Sequence, residues 1–350
     1  MNRLARSTAV TVSYGARADL LIATVVKVLE AGVTNVIVVD NGCSASSRAR
    51  VVAEFAGDAR VFISEPAPNR GSAVGFGDGI QIALKQGAEY LWLLDDDNWV
   101  HPNALYELTR RAQLLPAGSA LCSLRTSDVL QYRVAQGEPA NAVYPQPGDF
   151  FGIDLTRRFL YRGNRRQWRG LAGKRAEQLH LGLSVPFAPY GGFFAHSSTF
   201  EKIGLPDREF YLYEDDTDYT ERLTREGGRI LLVASSIIDD GDGKWIDGEE
   251  RSGISRLLMA SDVRRLRFAT RNRARVDFER ARRFGRSGRV RMNFIVFSSA
   301  VLWRGLTLRR FGRGVTIVEC LLKGLRLAIE SGRRARQAEV PLSRKRPDLR

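Results

Sequence analysis

The sequence predicts an α/β fold, a mostly parallel sheet with helices on both faces, followed by a basic helical C-terminal region. Short unbroken apolar runs alternate with helix-length segments through the first third of the chain, the pattern of strands buried on both faces. The runs end in Ser, Asp, Asn or Glu, at the strand ends where open α/β sheets take their ligands. After Ser261 the composition changes sharply to arginine-rich segments of helical pattern.

The first run, AVTVS (9–13), reads as a buried strand, and ADLLIATVVKVLEAG (18–32) as a helix ending at Gly32. NVIVVD (35–40) is a second strand, closed by the turn residues Asn41 and Gly42, and RVFIS (60–64) a third. GSAVGFGDGIQIALKQG (71–87) is a helix entered through a glycine-rich turn. YLWLL (90–94) is a fourth strand, and HPNALYELTRRAQLL (101–115) a helix with Pro102 near its start. Strand ends therefore fall at Ser13-Tyr14, Asp40-Asn41, Glu65 and Asp95-Asp96-Asp97. From about 127 to 183 the pattern weakens into prolines, glycines and a basic aromatic stretch, RRFLYRGNRRQWRG. Regularity returns with PYGGFFAHSSTFEKIGLP (189–206), an acidic cluster and the strand GRILLVAS (228–235).

The chain has 350 residues, 44% hydrophobic and 27% charged, which is globular and long enough for a sizeable core. Cys43, Cys122 and Cys320 are too scattered for a disulfide framework or a CxxC pair, so a reducing compartment is expected. His101, His180 and His196 are equally scattered, against a zinc site. No secretory signal is visible, and no apolar run reaches the length needed to span a bilayer. The net charge of +15 is uneven: residues 261–350 hold 25 Lys and Arg against 7 Asp and Glu, leaving 29 against 32 in residues 1–260. A polyanion or membrane partner would concern the tail alone.

Two knots of acid stand out in that nearly neutral body. Asp95, Asp96 and Asp97 follow a buried strand, where helix capping explains one or two of them. Three together raise one another's pKa unless a cation sits among them. Asp95 and Asp97, at alternate positions, can converge on a hard cation such as Mg²⁺ or Mn²⁺. Asp40-Asn41-Gly42 is by itself a turn, and in a nucleotide pocket the Asp and Asn could pair with a base edge. NRGSAVGFGDG (69–79) brings backbone amides to a helix start, a place suited to phosphate, although it lacks the Lys-Ser/Thr of a P-loop. In YLYEDDTDY (211–219), helix-start acids complement the dipole, with Asp218–Arg222 and Glu221–Arg225 at i,i+4 spacing. That accounts for Glu214, Asp218 and Glu221 but does not require both Asp215 and Asp216. A carboxylate held at a helix start suits a general base.

The order of these motifs resembles the inverting family 2 glycosyltransferases of the GT-A fold. The carrying residues are VTVSYGARADLL, VVDNG, NRGSAVGFGDGI, YLWLLDDDNWVHPNAL and YGGFFAHSSTFEKIGLPDREFYLYEDDTDYTERLTREGG, covering most of residues 9–242. The resemblance implies a nucleoside diphosphate sugar donor, UDP- or dTDP-linked. Asp40 would read the base, with Tyr14, Arg17, Asn41, Asn69 and Gly71 lining the donor pocket. Asp95 and Asp97 would be the metal-binding acids, with Asp95 and Asp96 close to the donor. Gly191 and Gly192, together with Trp168, would face the acceptor. Asp216, with Asp215 as the alternative, would deprotonate the acceptor hydroxyl.

DDTDYTERL after FYLYE is most like the galactofuranosyl- and rhamnosyltransferases of bacterial cell-surface glycans, galactofuranosyl slightly ahead. The implied acceptor is a cell-surface glycan or a polyprenyl-linked one. Two departures stand out. YGAR replaces the usual Asn-Arg after the first-strand tyrosine, and Asp239-Asp240 stands where the family commonly has a metal-binding histidine. Asp240 is the expected third metal ligand and Asp239 the alternative.

Residues 1–125 are expected to bind the nucleotide sugar, 126–260 the acceptor with the catalytic base, and 261–350 to form the basic helical region. The tail helices MNFIVFSSAVLWRGLTLRR and VTIVECLLKGLRLAIESG offer apolar faces flanked by arginines, as an interfacial helix requires. The expectation is peripheral contact at the cytoplasmic face of the cell membrane. Packing on the body or in a homo-oligomer is the alternative for those faces. The competing functions are a sugar nucleotidyltransferase and a basic nucleic-acid-binding protein. Against the latter, the body has no such motif and its acidic clusters repel phosphate; the expected partners exclude nucleic acid.

Overall fold

The computed structural model describes residues 6–155, 182–241 and 253–338. The first third is the alternation expected, with one further helix, Ala45–Glu54, outside the sequence-based expectation. Strands β1 (Ser7–Gly15), β2 (Asn35–Cys43), β3 (Val61–Ile63) and β4 (Tyr90–Asp95) pair in parallel in the order β3-β2-β1-β4. Helices α1 (Ala18–Glu30), α2 (Ala45–Glu54) and α3 (Ser72–Lys85) connect them, and α4 (Ala104–Ala112) follows. Successive strand residues face opposite sides, so Val10 and Val12 pack on Phe76 and Ile80 of α3. Ala9 belongs to the opposite core, with Leu21 and Val25 of α1 and Leu105 and Leu108 of α4. Each fully buried aliphatic side chain of this kind contributes about 1.5–3 kcal/mol. Gly75 and Gly79 let α3 lie close on β1: a Cβ there would meet Val12 Cγ1 at 2.5 Å and Val10 Cγ1 at 2.4 Å.

Beyond β4 the sheet is mixed. It adds β5 (Asn98–Val100), β6 (Ser119–Arg125), β7 (Leu183–Val185), β8 (Phe193–His196) and β9 (Arg229–Asp240), making nine strands among the described residues. β8 inserts antiparallel between β4 and β6, β6 and β9 run parallel, and β5 and β7 are antiparallel to β9. Short α5 (Val129–Ala135), α6 (Ala140–Val143) and α7 (Ser197–Ile203) precede α8 (Asp215–Arg225), whose Tyr219 and Leu223 pack into the same core as α3. The strand directions bring the C-terminal ends of β1, β2, β4, β6 and β9 to one edge, together with the start of β8.

This sheet and its helices, residues 6–144 and 182–241, form one compact unit; residues 145–155 and 253–338 form a second. The second consists mainly of α9 (Gly253–Met259), α10 (Val263–Arg283), α11 (Ser287–Thr307) and α12 (Phe311–Ala338). Phe150, Phe278, Phe297, Val301, Ile317 and Leu321 fill its core. The arginine-rich pattern is only partly a solvated face, because α10 turns part of its charge inward. Arg275 and Glu279 are buried and joined at 3.0 Å, and buried Asp277 binds Arg273 at 3.1 Å. No helix among the described residues is long and apolar enough to cross a membrane.

Candidate active site

The three consecutive aspartates have three different surroundings. Asp96 is buried, accepting hydrogen bonds from Ser13 Oγ at 2.6 Å and from Arg17 Nε at 2.9 Å. Thr24 Oγ1 donates to its carbonyl oxygen at 3.0 Å, so Asp96 clamps α1 to the end of β4. Burial, the largest influence, raises its pKa. Asp97 binds Arg17 Nη2 at 3.2 Å and is pushed up to about 7, by burial first and then by Asp95 and Asp96. Asp95 is the most exposed of the three, its side chain 32% accessible. The Arg17 guanidinium lies 5.5 Å from the centre of the Tyr14 ring, which places both expected donor residues at the edge of this cluster.

At the end of β2, Asp40 is engaged by its own turn. Its Oδ1 accepts from the backbone N–H of Gly42 and Cys43, and its Oδ2 from Arg48 at 2.8 Å. Asn41 ties β2 to the glycine-rich turn by donating to the Gly71 carbonyl and accepting from the Arg70 N–H. Asn69 Oδ1 accepts from the Gly71 N–H and from Tyr211 Oη. Gly71 has φ 86°, and a Cβ there would fall 2.0 Å from the Tyr211 carbonyl oxygen. The amides expected to cradle phosphate are thus in part taken up by asparagines. The start of α3 instead receives a carboxylate, as Ser72 Oγ donates to Asp215 Oδ2 at 2.7 Å.

The segment entering α8 holds Tyr211, Tyr213 and Glu214 at φ between 61° and 67°, a conformation non-glycine residues occupy at a cost the surroundings must offset. Asp218 does what the helix-start reading gives it, binding Arg222 at 2.6 Å. Asp215 is buried and Asp216 part-exposed, with Oδ1 accepting the Thr217 N–H at 2.7 Å. Burial pushes Asp215 up to about 7 despite its bond to Ser72. Burial, then Asp215 and Glu214, raises Asp216, and Asp95 acts on both from the neighbouring cluster. Of the pair, Asp216 is the more exposed.

Of the two acids ending β9, Asp240 turns toward Asp95 and Asp239 does not. Asp239 binds His101 Nε2 at 2.8 Å and Thr126 Oγ1 at 2.5 Å. Asp240 accepts from Asn98 Nδ2 at 3.2 Å, from Ser127 Oγ and from Arg125 Nε at 2.6 Å. Arg125 Nη1 in turn reaches Asp95 Oδ2 at 2.9 Å. Gly191 lies against this group, since a Cβ would stand 2.4 Å from Asn98 Oδ1. Gly192, with φ 94°, abuts Ser123. Trp168 lies outside the described residues. Sequence reasoning missed Arg125, Asn98, Ser72 and Arg48, and named Ser13 only as a strand end; the lone arginine closing the apolar run SALCSLR was the available signal for the first.

Among the described residues no three His, Cys, Asp or Glu side chains are placed to hold a metal together. Asp240 is separated from Asp95 by a guanidinium. Asp95 and Asp97 nevertheless fit a hard divalent cation, which needs only one or two carboxylates when substrate phosphate completes its shell.

Residues 8–203, more than half of the chain, match the family described as Glycosyl transferase family 2. The chain belongs to glycosyl transferase family 2. It is 26% identical over 204 residues to "Galactofuranosyltransferase GlfT1" of Mycobacterium tuberculosis, strains CDC 1551 / Oshkosh and ATCC 25618 / H37Rv, covering 55% of this chain and 56% of theirs. The chain spans about half the length of the curated relatives it matches. A crystal structure of GalNAc-T7 with UDP, GalNAc and Mn²⁺ superposes with a TM-score of 0.51 at 15% identity, over 79% of this chain and 48% of that one. That likeness supports the GT-A fold. Membership in family 2 makes the chain a glycosyltransferase, in preference to a nucleotidyltransferase or a nucleic-acid-binding protein.

Proposed function

We propose that this glycosyltransferase moves a sugar, galactofuranose ahead of rhamnose, from a UDP- or dTDP-linked donor to a cell-surface glycan or polyprenyl-linked acceptor, with inversion. The observation that carries this is the meeting of two acid groups at one sheet edge, Asp95–Asp97 and Asp215–Asp216, close enough for Asp95 to act on both members of the second pair. Residues 1–125 hold the donor, with Tyr14, Arg17, Asp40, Asn41, Asn69 and Gly71 around it. Asp95 and Asp97 would hold Mg²⁺ or Mn²⁺, with Asp240 behind them, and the cation when bound offsets charge on the departing diphosphate. Residues 126–260 receive the acceptor over Gly191 and Gly192. Asp216 takes the hydroxyl proton as that oxygen bonds to the anomeric carbon and the bond to the diphosphate breaks on the opposite side. Burial and the neighbouring acids raise its pKa, which makes its carboxylate a stronger base than an ordinary one.

The surplus of Lys and Arg in residues 261–350 supports work at the cytoplasmic face of a membrane, where a polyprenyl-linked acceptor would reside. The reading is tested by thermal stabilisation against a panel of nucleotide sugars with and without Mn²⁺. Stabilisation by a UDP- or dTDP-sugar, larger with Mn²⁺, is expected; stabilisation by none of them would refute the reading.

A further inference from the structure

Arg125 occupies the space between two of the carboxylates assigned to the metal. Its Nη1 is 2.9 Å from Asp95 Oδ2 and its Nε 2.6 Å from Asp240 Oδ1. The main chain there is fixed: the Arg125 N–H donates to Gln131 Oε1 at 2.8 Å, and Arg125 pairs in register with Ile238 of β9. Its side chain remains 21% exposed. At Gly191, a Cβ would stand 3.3 Å from Arg125 Nη1 and 3.1 Å from Asp95 Oδ2. Guanidinium, carboxylate and the glycine assigned to the acceptor therefore meet at one point.

A divalent cation on Asp95 and a guanidinium on the same oxygen repel each other. One must yield. Asp240 keeps Asn98 Nδ2 and Ser127 Oγ as donors if Arg125 turns away, so its carboxylate is not stranded. The guanidinium, by contrast, loses an anion and needs another, and its planar fork matches phosphate oxygens. We infer that Arg125 is a donor-binding residue that holds the metal seat shut in the empty enzyme and transfers to the donor diphosphate when cation and donor enter together. This rests on the metal reading of Asp95 and Asp97. It couples the two ligands, because a cation arriving alone displaces Arg125 without giving it a new partner.

Mn²⁺ binding to the full chain, followed by electron paramagnetic resonance with and without UDP, tests this. Arg125→Gln should bind Mn²⁺ alone about tenfold more tightly and Mn²⁺ with UDP less tightly, within the usual range of such couplings. Arg125→Met, of similar bulk, should behave alike, and Arg125→Lys should keep the weak binding of Mn²⁺ alone. A purely structural role for Arg125 cannot give these opposite signs. If Arg125→Gln and Arg125→Met bind Mn²⁺ alone no more tightly than the parent, while Asp97→Asn abolishes binding, this inference fails and the metal reading stands. If Mn²⁺ binding is indifferent to Asp97, both fail.

Discussion

Asp215 sits buried against Ser72 with Asp216 beside it, and its carboxyl is pushed up to about 7, chiefly by burial. A carboxyl whose folded pKa exceeds its unfolded value costs stability as pH rises from the unfolded pKa to the folded one. Asp215→Asn is therefore predicted to stabilise the protein by a few kcal/mol, to order of magnitude, at pH 8 and by little near pH 4, as read by urea unfolding. Equal gains at both pH values would point to packing instead. The raised pKa of Asp216 gives activity the opposite slope: transfer should fall as pH drops, and at a higher pH than an ordinary carboxylate would give, because a protonated base accepts nothing. At this scale the sequence showed which residue types gather but not which way they turn. Asp239 and Asp240 differ by one step of strand register, and only the pairing of Asn98 with Asp240 sends the latter toward Asp95. Asp96 and Asp97 look alike in sequence, yet Ser13 and Arg17, contributed by distant β1 and the turn after it, commit Asp96 to structure.

Helix α10 carries its carboxylates inward, where Glu279 Oε1 binds Arg275 and Oε2 binds Arg283, each at 3.0 Å. Removing one partner of a buried pair leaves the other charge uncompensated. Glu279→Ala should cost about 3–5 kcal/mol in denaturant unfolding, whereas Glu138→Ala, in a pair with Arg133 that is half exposed on both sides, should cost far less. Comparable losses would mean the α10 charges are solvated. Periodicity made β1 to β4 and α1, α3 and α4 legible, because each is a local pattern of apolar residues; α2 was not, since few of its residues face the core. Periodicity gave less for β5 to β9. These include three- and four-residue strands whose direction depends on partners far along the chain, as when β8 slips between β4 and β6. The inward arginines of α10 were equally hidden, since composition reports charge and not the face that carries it.

Charge divides the whole molecule at about Ser261, and α11 shows what accompanies it. Met292, Ile295, Trp303 and Leu306 are 42%, 62%, 69% and 54% exposed, and at 3.6 residues per turn they lie within about 80° of one another. An exposed apolar stripe with tryptophan and nearby arginines suits an anionic lipid surface. Ile295→Glu with Trp303→Glu should remove most flotation of the full chain with anionic liposomes and leave its fold intact by circular dichroism; undiminished flotation would exclude this stripe as the contact. The central claim, that Asp216 is the base of an inverting transfer, stands on a part-exposed carboxylate at the start of α8 within the influence of Asp95. The most direct measurement is the transfer rate of Asp216→Asn, with donor affinity determined on the same preparation. The account predicts a fall of roughly two to four orders of magnitude in rate with donor affinity almost unchanged; a rate near that of the parent, or a larger loss from Asp215→Asn, would contradict it.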